Sequence, residues 1–315
     1  MKKSPRNNPV YLSVVVLNFN SGHYLSACVD SISKSRLRYP VEAIVIDNCS
    51  SDDSFILAQK KLAVRPPSDN LSFKFQRLNN NIGFSAGNNR GVELISPDSR
   101  YVLFLNPDTI VNPDSLNKMM AFFLRHPQAD AATCFVKLAL TNRLQPECHR
   151  GFPTPWRSLC HFSGISKLLP TSAVFSGYFL GNLNIKETHR IEACVGAFLM
   201  LKKTVGQNLG WWNEKYFFYG EDLDFCYRLY QNNYKLYFYP HCSITHFQGI
   251  SSGIKKTKSA ATRPTRVKAA QASTEAMRIF YQDHLFGHYN FLTRSLVLAG
   301  IKLLEIIRVT KAKYL

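Results

Sequence analysis

The 315-residue sequence predicts an α/β fold, a largely parallel sheet covered by helices on both faces. Three observations carry that prediction. Short β-branched runs alternate with helical segments through the first half of the chain, the rhythm of βαβ units. The runs are almost continuously apolar, as strands buried on both faces must be. Three of them stop at polar residues: Asn18 and Asn20, Asp47 and Asn48, Asn106 and Asp108. In open sheets of this kind ligands bind beyond the carboxyl ends of the strands, so the polar rim is a candidate site.

Each element has its own signal. "YLSVVVL" (Tyr11–Leu17) is short, β-branched and bounded by Asn and Gly, hence a strand, and Tyr24–Ser33 follows as a helix. "VEAIVID" (Val41–Asp47) is a second strand, and "NCSSDD" supplies Ser and Asp to cap the next helix. Leu71–Leu78 alternates as a third strand, and the Asn/Gly-rich run Asn79–Ile95 is a loop leading into a helix. "YVLFL" (Tyr101–Leu105) is a strand stopped by "NPDT", followed by a helix over Pro113–Arg125. Thr141–Arg190 has no clear period and is expected to be a substrate loop. Glu192–Lys203 is expected as a strand, Glu221–Gln231 as a helix, Tyr234–Pro240 as a strand, and two helices from about Lys268 onward.

Composition bounds the function. Hydrophobic residues make up 45% and charged residues 19%, the balance of a chain that folds around a core and not of a disordered one. The net charge is +18, and from Lys255 onward twelve Lys/Arg face only Glu275, Asp283 and Glu305. Such a tail attracts polyanions: nucleic acid, anionic lipid or a diphosphate. No helix-turn-helix, zinc finger or RNP-like aromatic pattern accompanies the charge, so nucleic acid is not expected as a partner. The eight cysteines are irregularly spaced with no C-x-x-C pair, which points to free thiols and a cytoplasmic setting. "MKKSPRNNPV" leads into a strand and does not read as a signal peptide.

The series "VVVLNFNSGHYLSACVDSI", "IVIDNCSSDDS", "NNIGFSAGNNRG", "LFLNPDT", "VGAFLMLKK", "WWNEKYFFYGEDLDFCYRL" and "YFYPHCSITHFQGISSG" resembles family 2 glycosyltransferases, most of all their rhamnosyltransferase-like branch. The resemblance covers about residues 10–255. It implies a GT-A fold, a nucleotide-sugar donor, Mg²⁺ or Mn²⁺, and inversion at the sugar carbon. The domains expected are a GT-A catalytic domain at 1–260 and a basic helical extension at 261–315.

Carried over residue by residue, the resemblance places "LNPDT" at the family's D-x-D element. Asp108 is the retained acid and Asn106 stands in for the first Asp. His246 completes the metal shell with Asp108. Asp47 and Asn48 contact the nucleoside, with Leu17, Phe19 and Asn20 around the base. Gly83, Phe84 and Asn89 form the loop beneath the donor, where a helix start favours a diphosphate. In "FFYGEDLDF", Asp222 matches the general base that takes the acceptor hydroxyl's proton, made more basic by the apolar rings of Phe217, Phe218 and Tyr219 beside it. Glu221 is assigned to acceptor binding or to the helix dipole. Asp224 is read as a first-turn helix acid. Trp211 and Trp212 depart from the family's pattern; they either stack on the acceptor or pack in the core.

The expected activity is transfer of rhamnose from dTDP-rhamnose to a hydroxyl of a cell-surface glycan or of its polyprenyl-diphosphate-linked precursor. A galactofuranosyl or other hexosyl donor, or a non-catalytic nucleotide-sugar-binding relative, are the alternatives. The run Ser295–Ile307 is apolar, with Arg294, Lys302, Glu305 and Arg308 on one side of the helical wheel. Two readings of it stand: a helix lying on an anionic membrane surface at the inner face of the cell, or one whose apolar face docks on the enzyme or on another subunit.

Overall fold

The computed structural model describes residues 10–64, 67–248 and 263–314. In chain order these residues form β1 (Leu12–Asn18), α1 (His23–Ser33), β2 (Val41–Asp47), α2 (Ser54–Val64), β3 (Leu71–Arg77), α3 (Phe84–Glu93), β4 (Tyr101–Leu105), β5 (Thr109–Val111), α4 (Ser115–Arg125) and β6 (Ala131–Leu138). Then come α5 (Pro155–Phe162), α6 (Ile165–Leu168), β7 (His189–Arg190), β8 (Phe198–Lys202), α7 (Lys203–Leu209), α8 (Glu221–Gln231), β9 (Leu236–His246), α9 (Arg263–Phe280) and α10 (Phe291–Tyr314). The boundary expected at 260/261 and the run "GISSG" lie outside the described residues.

The strands make one sheet in the order β3-β2-β1-β4-β8-β6-β9-β5, with β7 beside β9. Its nucleus, β3-β2-β1-β4, is parallel, and every residue of β1 and β2 is buried, which is why their sequences run apolar without alternation. Beyond β4 the sheet turns mixed: β8 is antiparallel to β4 and β6, and β6 and β9 pair in parallel. Three strands have no counterpart in the sequence reading: β5 and β7 are three and two residues long, too short for any period, and β6 was passed over.

β9 runs on past the expected end at Pro240. Pro240 cannot donate to a ladder, and the pairing with β6 skips from Tyr239 to Ser243 around it before resuming. That resumption has a consequence for the site. It carries His246 to the strand's end, in register with Thr109 of β5 and Leu138 of β6.

The irregular segment 141–190 is not one open loop: it holds α5 and α6 and is tied to the sheet by bridges Lys137–Leu144 and Arg150–Ala193. All eight cysteines are free thiols, seven of them buried. α9 and α10 form an antiparallel helical pair, and α9 packs on the start of α8, where Gly220 adopts φ +81° and any Cβ would lie 2.9 Å from Ala276 Cβ.

Candidate active site

Loops and helix starts at the carboxyl ends of β1, β2 and β4 build one rim. At the end of β1, Asn18 is fully buried and its amide donates to Asp47 Oδ1 (2.7 Å) and Ser54 Oγ (2.8 Å). Asp47 is equally buried. Its Oδ2 accepts from Ser50 N (3.1 Å) and pairs with Arg77 Nε (3.3 Å). Asp47 therefore presents no open edge to a nucleoside, whereas the half-exposed Arg77 guanidinium does. Asn48 acts one step further on: its amide donates to Asn81 Oδ1 and the Gly83 carbonyl, and its Oδ1 accepts from Ile82 N. Leu17 is buried, Phe19 exposed, and Asn20 takes φ +48° to accept from Ser51 N at 2.8 Å.

α3 begins at Gly83, with φ +89° and the Phe217 carbonyl 2.7 Å from where a Cβ would stand. Phe84 N donates to that same carbonyl at 2.7 Å, so the first amide of α3 is occupied by the 217 loop and not open to phosphate. Asn89 is taken out of the donor-side set. Its amide donates to the Trp212 carbonyl (3.0 Å) and Glu214 Oε1 (2.8 Å), and its oxygen accepts from Trp212 N. Trp212 is likewise no acceptor platform. It is 2% exposed, packed at 4.8 Å against Phe104 and 4.9 Å against Phe225. Trp211 is half-buried and lies over Gly206. For Trp212, core packing is the reading the structure has.

Asp108 and His246 do meet. His246 Nε2 is 3.1 Å from Asp108 Oδ1, with the Asn106 amide 3.4 Å from the same nitrogen. On the other side of the ring, Nδ1 is 2.7 Å from Oε1 of buried Gln145. An amide oxygen only accepts, so Nδ1 carries a hydrogen, which leaves Nε2 free to offer its lone pair when a cation sits beside Asp108. That donor set, one carboxylate and one imidazole with an amide beside them, fits a divalent ion that keeps positions open for phosphate oxygens. Among the described residues no cluster of three or more His, Cys, Asp or Glu is assembled.

The three acids of "FFYGEDLDF" separate cleanly. All lie in the first turn of α8, where the helix dipole favours negative charge. Asp222 is 13% exposed and pairs with Arg150 Nη2 at 3.2 Å, and its Oδ1 also accepts from Leu223 N (2.7 Å). The neighbouring rings do not enclose it as expected: Phe217 is 58% exposed and leans on Gly83, while Phe218 and Tyr219 lie tilted against each other at 49°. Glu221 is buried without an ion-pair partner. Its Oε2 has no hydrogen-bond partner, and burial, together with the charge of Asp222, pushes its pKa up to about 8. Asp224 is fully buried between Arg228 and His284.

The elevated Glu221 carries a sign. A carboxyl whose folded-state pKa lies above its unfolded value costs stability as pH rises from about 4.5 to about 8. Glu221→Gln is therefore expected to melt higher than the parent at pH 9, by a few kcal/mol at most, roughly, and to match it near pH 4. Thermal melts at the two pH values check this; equal shifts at both would remove the buried charge as the cause.

Gln145 and Arg150 were not foreseen. They flank one six-residue stretch whose first residue touches His246 and whose last touches Asp222. That stretch joins the two halves of the site.

Comparison with known proteins gives the family and the fold. A model of "Glycosyl transferase family 2" matches residues 13–183, and one of "Glycosyl transferase family group 2" matches 101–304. The low-salt glycan biosynthesis hexosyltransferase Agl10 of Haloferax volcanii is 24% identical over 224 residues, 70% of this chain and 62% of that protein. The chain thus spans less than two thirds of that relative's length. An N-acetylglucosaminyl-diphospho-decaprenol L-rhamnosyltransferase of Mycobacterium tuberculosis is 24% identical over 247 residues, 77% of this chain and 78% of the relative. Among solved structures, a mannosyltransferase of Pyrobaculum calidifontis in complex with GDP-Man and Mn²⁺ superposes with TM-score 0.56 at 14% identity, covering 98% of this chain and 74% of that one. That likeness establishes the GT-A fold.

Proposed function

Because the chain belongs to glycosyltransferase family 2, we propose that it is an inverting, metal-dependent hexosyltransferase. Its donor is dTDP-rhamnose and its acceptor a hydroxyl of a cell-surface glycan or of the polyprenyl-diphosphate-linked precursor. The observation that carries this reading is the joined pair of centres: Asp108 Oδ1 and His246 Nε2 at 3.1 Å on one side, Asp222 held by Arg150 at 3.2 Å on the other. The rhamnosyltransferase relative supports the donor and the lipid-linked acceptor. The Haloferax relative, described as a hexosyltransferase, keeps galactofuranose and other hexoses as the near alternatives.

In this reading Asp222 accepts the acceptor hydroxyl's proton as that oxygen bonds to the anomeric carbon. The bond from the same carbon to the diphosphate oxygen breaks, and the nucleoside diphosphate leaves from the opposite face, inverting the centre. Asp108 and His246, with Asn106 beside them, would hold Mg²⁺ or Mn²⁺. Bound there, the ion supplies positive charge against the diphosphate. Arg77 faces the nucleoside, and Asp47 fixes Arg77 in place. A lipid-linked acceptor keeps the enzyme at the inner face of the cell membrane.

The test is a panel of nucleotide sugars scored by thermal shift and by donor hydrolysis. dTDP-rhamnose is expected to stabilise the protein and to be hydrolysed with added Mn²⁺ but not in EDTA, with Asp108→Ala slower by about 100-fold or more. Turnover that persists in EDTA removes the metal. A nucleotide sugar that raises the melting temperature but is not hydrolysed with Mn²⁺ returns the protein to a non-catalytic nucleotide-sugar-binding relative, and a panel in which none raises it overturns both readings.

A further inference from the structure

We propose that α10 lies flat in an anionic lipid surface, its outward apolar stripe in the acyl boundary and its lysines on the headgroup phosphates. The argument starts from which way the helix is packed. The charged side is the inner one. Arg308 is half-buried and donates to Ser273 Oγ of α9 at 2.9 Å, Arg294 is half-buried and donates to the Tyr289 carbonyl at 2.7 Å, and Ile301 between them is buried. The apolar side faces out. Leu292, Leu296, Leu303, Ile306 and Ile307 are all exposed, Leu296 by 65% and Leu303 by 59%, with Tyr314 at the far end.

At about 100° per residue these positions form one continuous stripe along the helix. Single exposed leucines are ordinary, but a contiguous apolar stripe in contact with water is not. The reading in which this face docks on the enzyme itself is excluded for the described residues, because those residues leave it uncovered.

The border of the stripe chooses among the remaining occupants. Lys302, Lys311 and Lys313 are exposed along its two edges, and of these Lys302 shares its charge with Glu305 at 2.9 Å. A second copy of the chain, pairing two-fold through this face, sets lysine edges against lysine edges. Lys302 sits near the middle of α10 and would meet its own counterpart. An anionic lipid surface complements the same pattern: apolar centre inward, ammonium groups at headgroup level. No helix of the described residues is long and apolar enough to cross a membrane, so the helix lies in the plane.

Flotation of the full chain with vesicles decides it, with no nucleotide sugar present. The protein is expected to float with phosphatidylcholine vesicles containing about 30% phosphatidylglycerol, less with phosphatidylcholine alone, and less as salt rises. Leu296→Glu with Leu303→Glu should weaken binding by about tenfold or more while the melting temperature stays at the parent value. Exchanging Lys302, Lys311 and Lys313 for Glu should abolish the preference for anionic vesicles. Failure of the parent protein to float overturns the proposal, and so does equal binding by the double Glu variant. A concentration-dependent dimer that the double variant dissociates, and that vesicles do not compete away, assigns the face to a second copy instead. Because the assay uses neither donor nor acceptor, its outcome is independent of whether the transferase reading stands.

Discussion

Replacing Asp222 by Asn is expected to slow transfer by about 10²–10⁴-fold and to change donor affinity by less than about twofold. The asymmetry follows from what the side chain touches. Asn keeps the shape and still accepts from Leu223 N, the 2.7 Å bond that orients Asp222 at the start of α8. It loses the negative charge that takes a proton. It also leaves Arg150 uncompensated. Arg150 is largely buried, and its Nε has no partner even in the parent protein. A loss of about 1–3 kcal/mol in stability should therefore accompany the variant, and rates are best compared well below its melting point. Asp222→Glu, which retains a carboxylate, should recover part of the rate, and a merely structural pairing with Arg150 would not predict that recovery without a matching change in stability. Single-turnover transfer with saturating donor is the measurement. Turnover by Asp222→Asn within tenfold of the parent places the base elsewhere.

What the sequence disclosed of this site depended on whether a residue's role was local. β1, β2, β4 and α8 came within a residue or so of their observed ends because burial on both faces writes itself into a run of Val, Ile and Leu, and because acids crowd a helix start. The pairing of Asp108 with His246 was expected from the family resemblance alone; nothing local in the sequence carries it, since it depends on β9 resuming beyond Pro240. Gln145 and Arg150 left no trace at all. They sit in a stretch without period, positioned by a turn and by a single bridge to Ala193, and a buried Arg looks in sequence like any surface Arg. In the pair Trp211–Trp212, composition could not say whether rings met sugar or core. For Trp212 the fold decides it by driving the ring between Phe104 and Phe225. For α10 the wheel defined two faces correctly, but which one turns inward depends on α9, and α9 takes the charged one.

Asp224 offers the sharpest contrast with its neighbour two residues away, and the expected result of Asp224→Ala is loss of stability, not loss of chemistry. The side chain is fully buried, with Arg228 Nε at 2.7 Å, His284 Nε2 at 2.8 Å and Asn213 Nδ2 at 3.3 Å. Burial alone would raise its pKa, but the His284 hydrogen bond and the Arg228 guanidinium together hold it below the usual carboxylate range. A group so depressed contributes stability that is complete above its unfolded pKa of about 3.8 and is lost as pH falls through the lower folded value. Removing it strands Arg228, whose other nitrogens already serve the Leu209 and Trp211 carbonyls, and unties His284 from α8. Breaking a buried pair from one side costs about 3–5 kcal/mol, which for a chain of this size is a fall of roughly 10 °C in melting temperature. The acid limb of the stability–pH curve should flatten in the same variant. Below its melting point the variant should still turn over within about tenfold of the parent, because Asp224 is bound to Arg228 and to His284 of the helical extension, whereas Asp222 is held by Arg150. A melting temperature equal to the parent's would mean that the extension is held to α8 by other contacts, chiefly Ala276 on Gly220 and the Tyr227 hydroxyl on the His284 carbonyl.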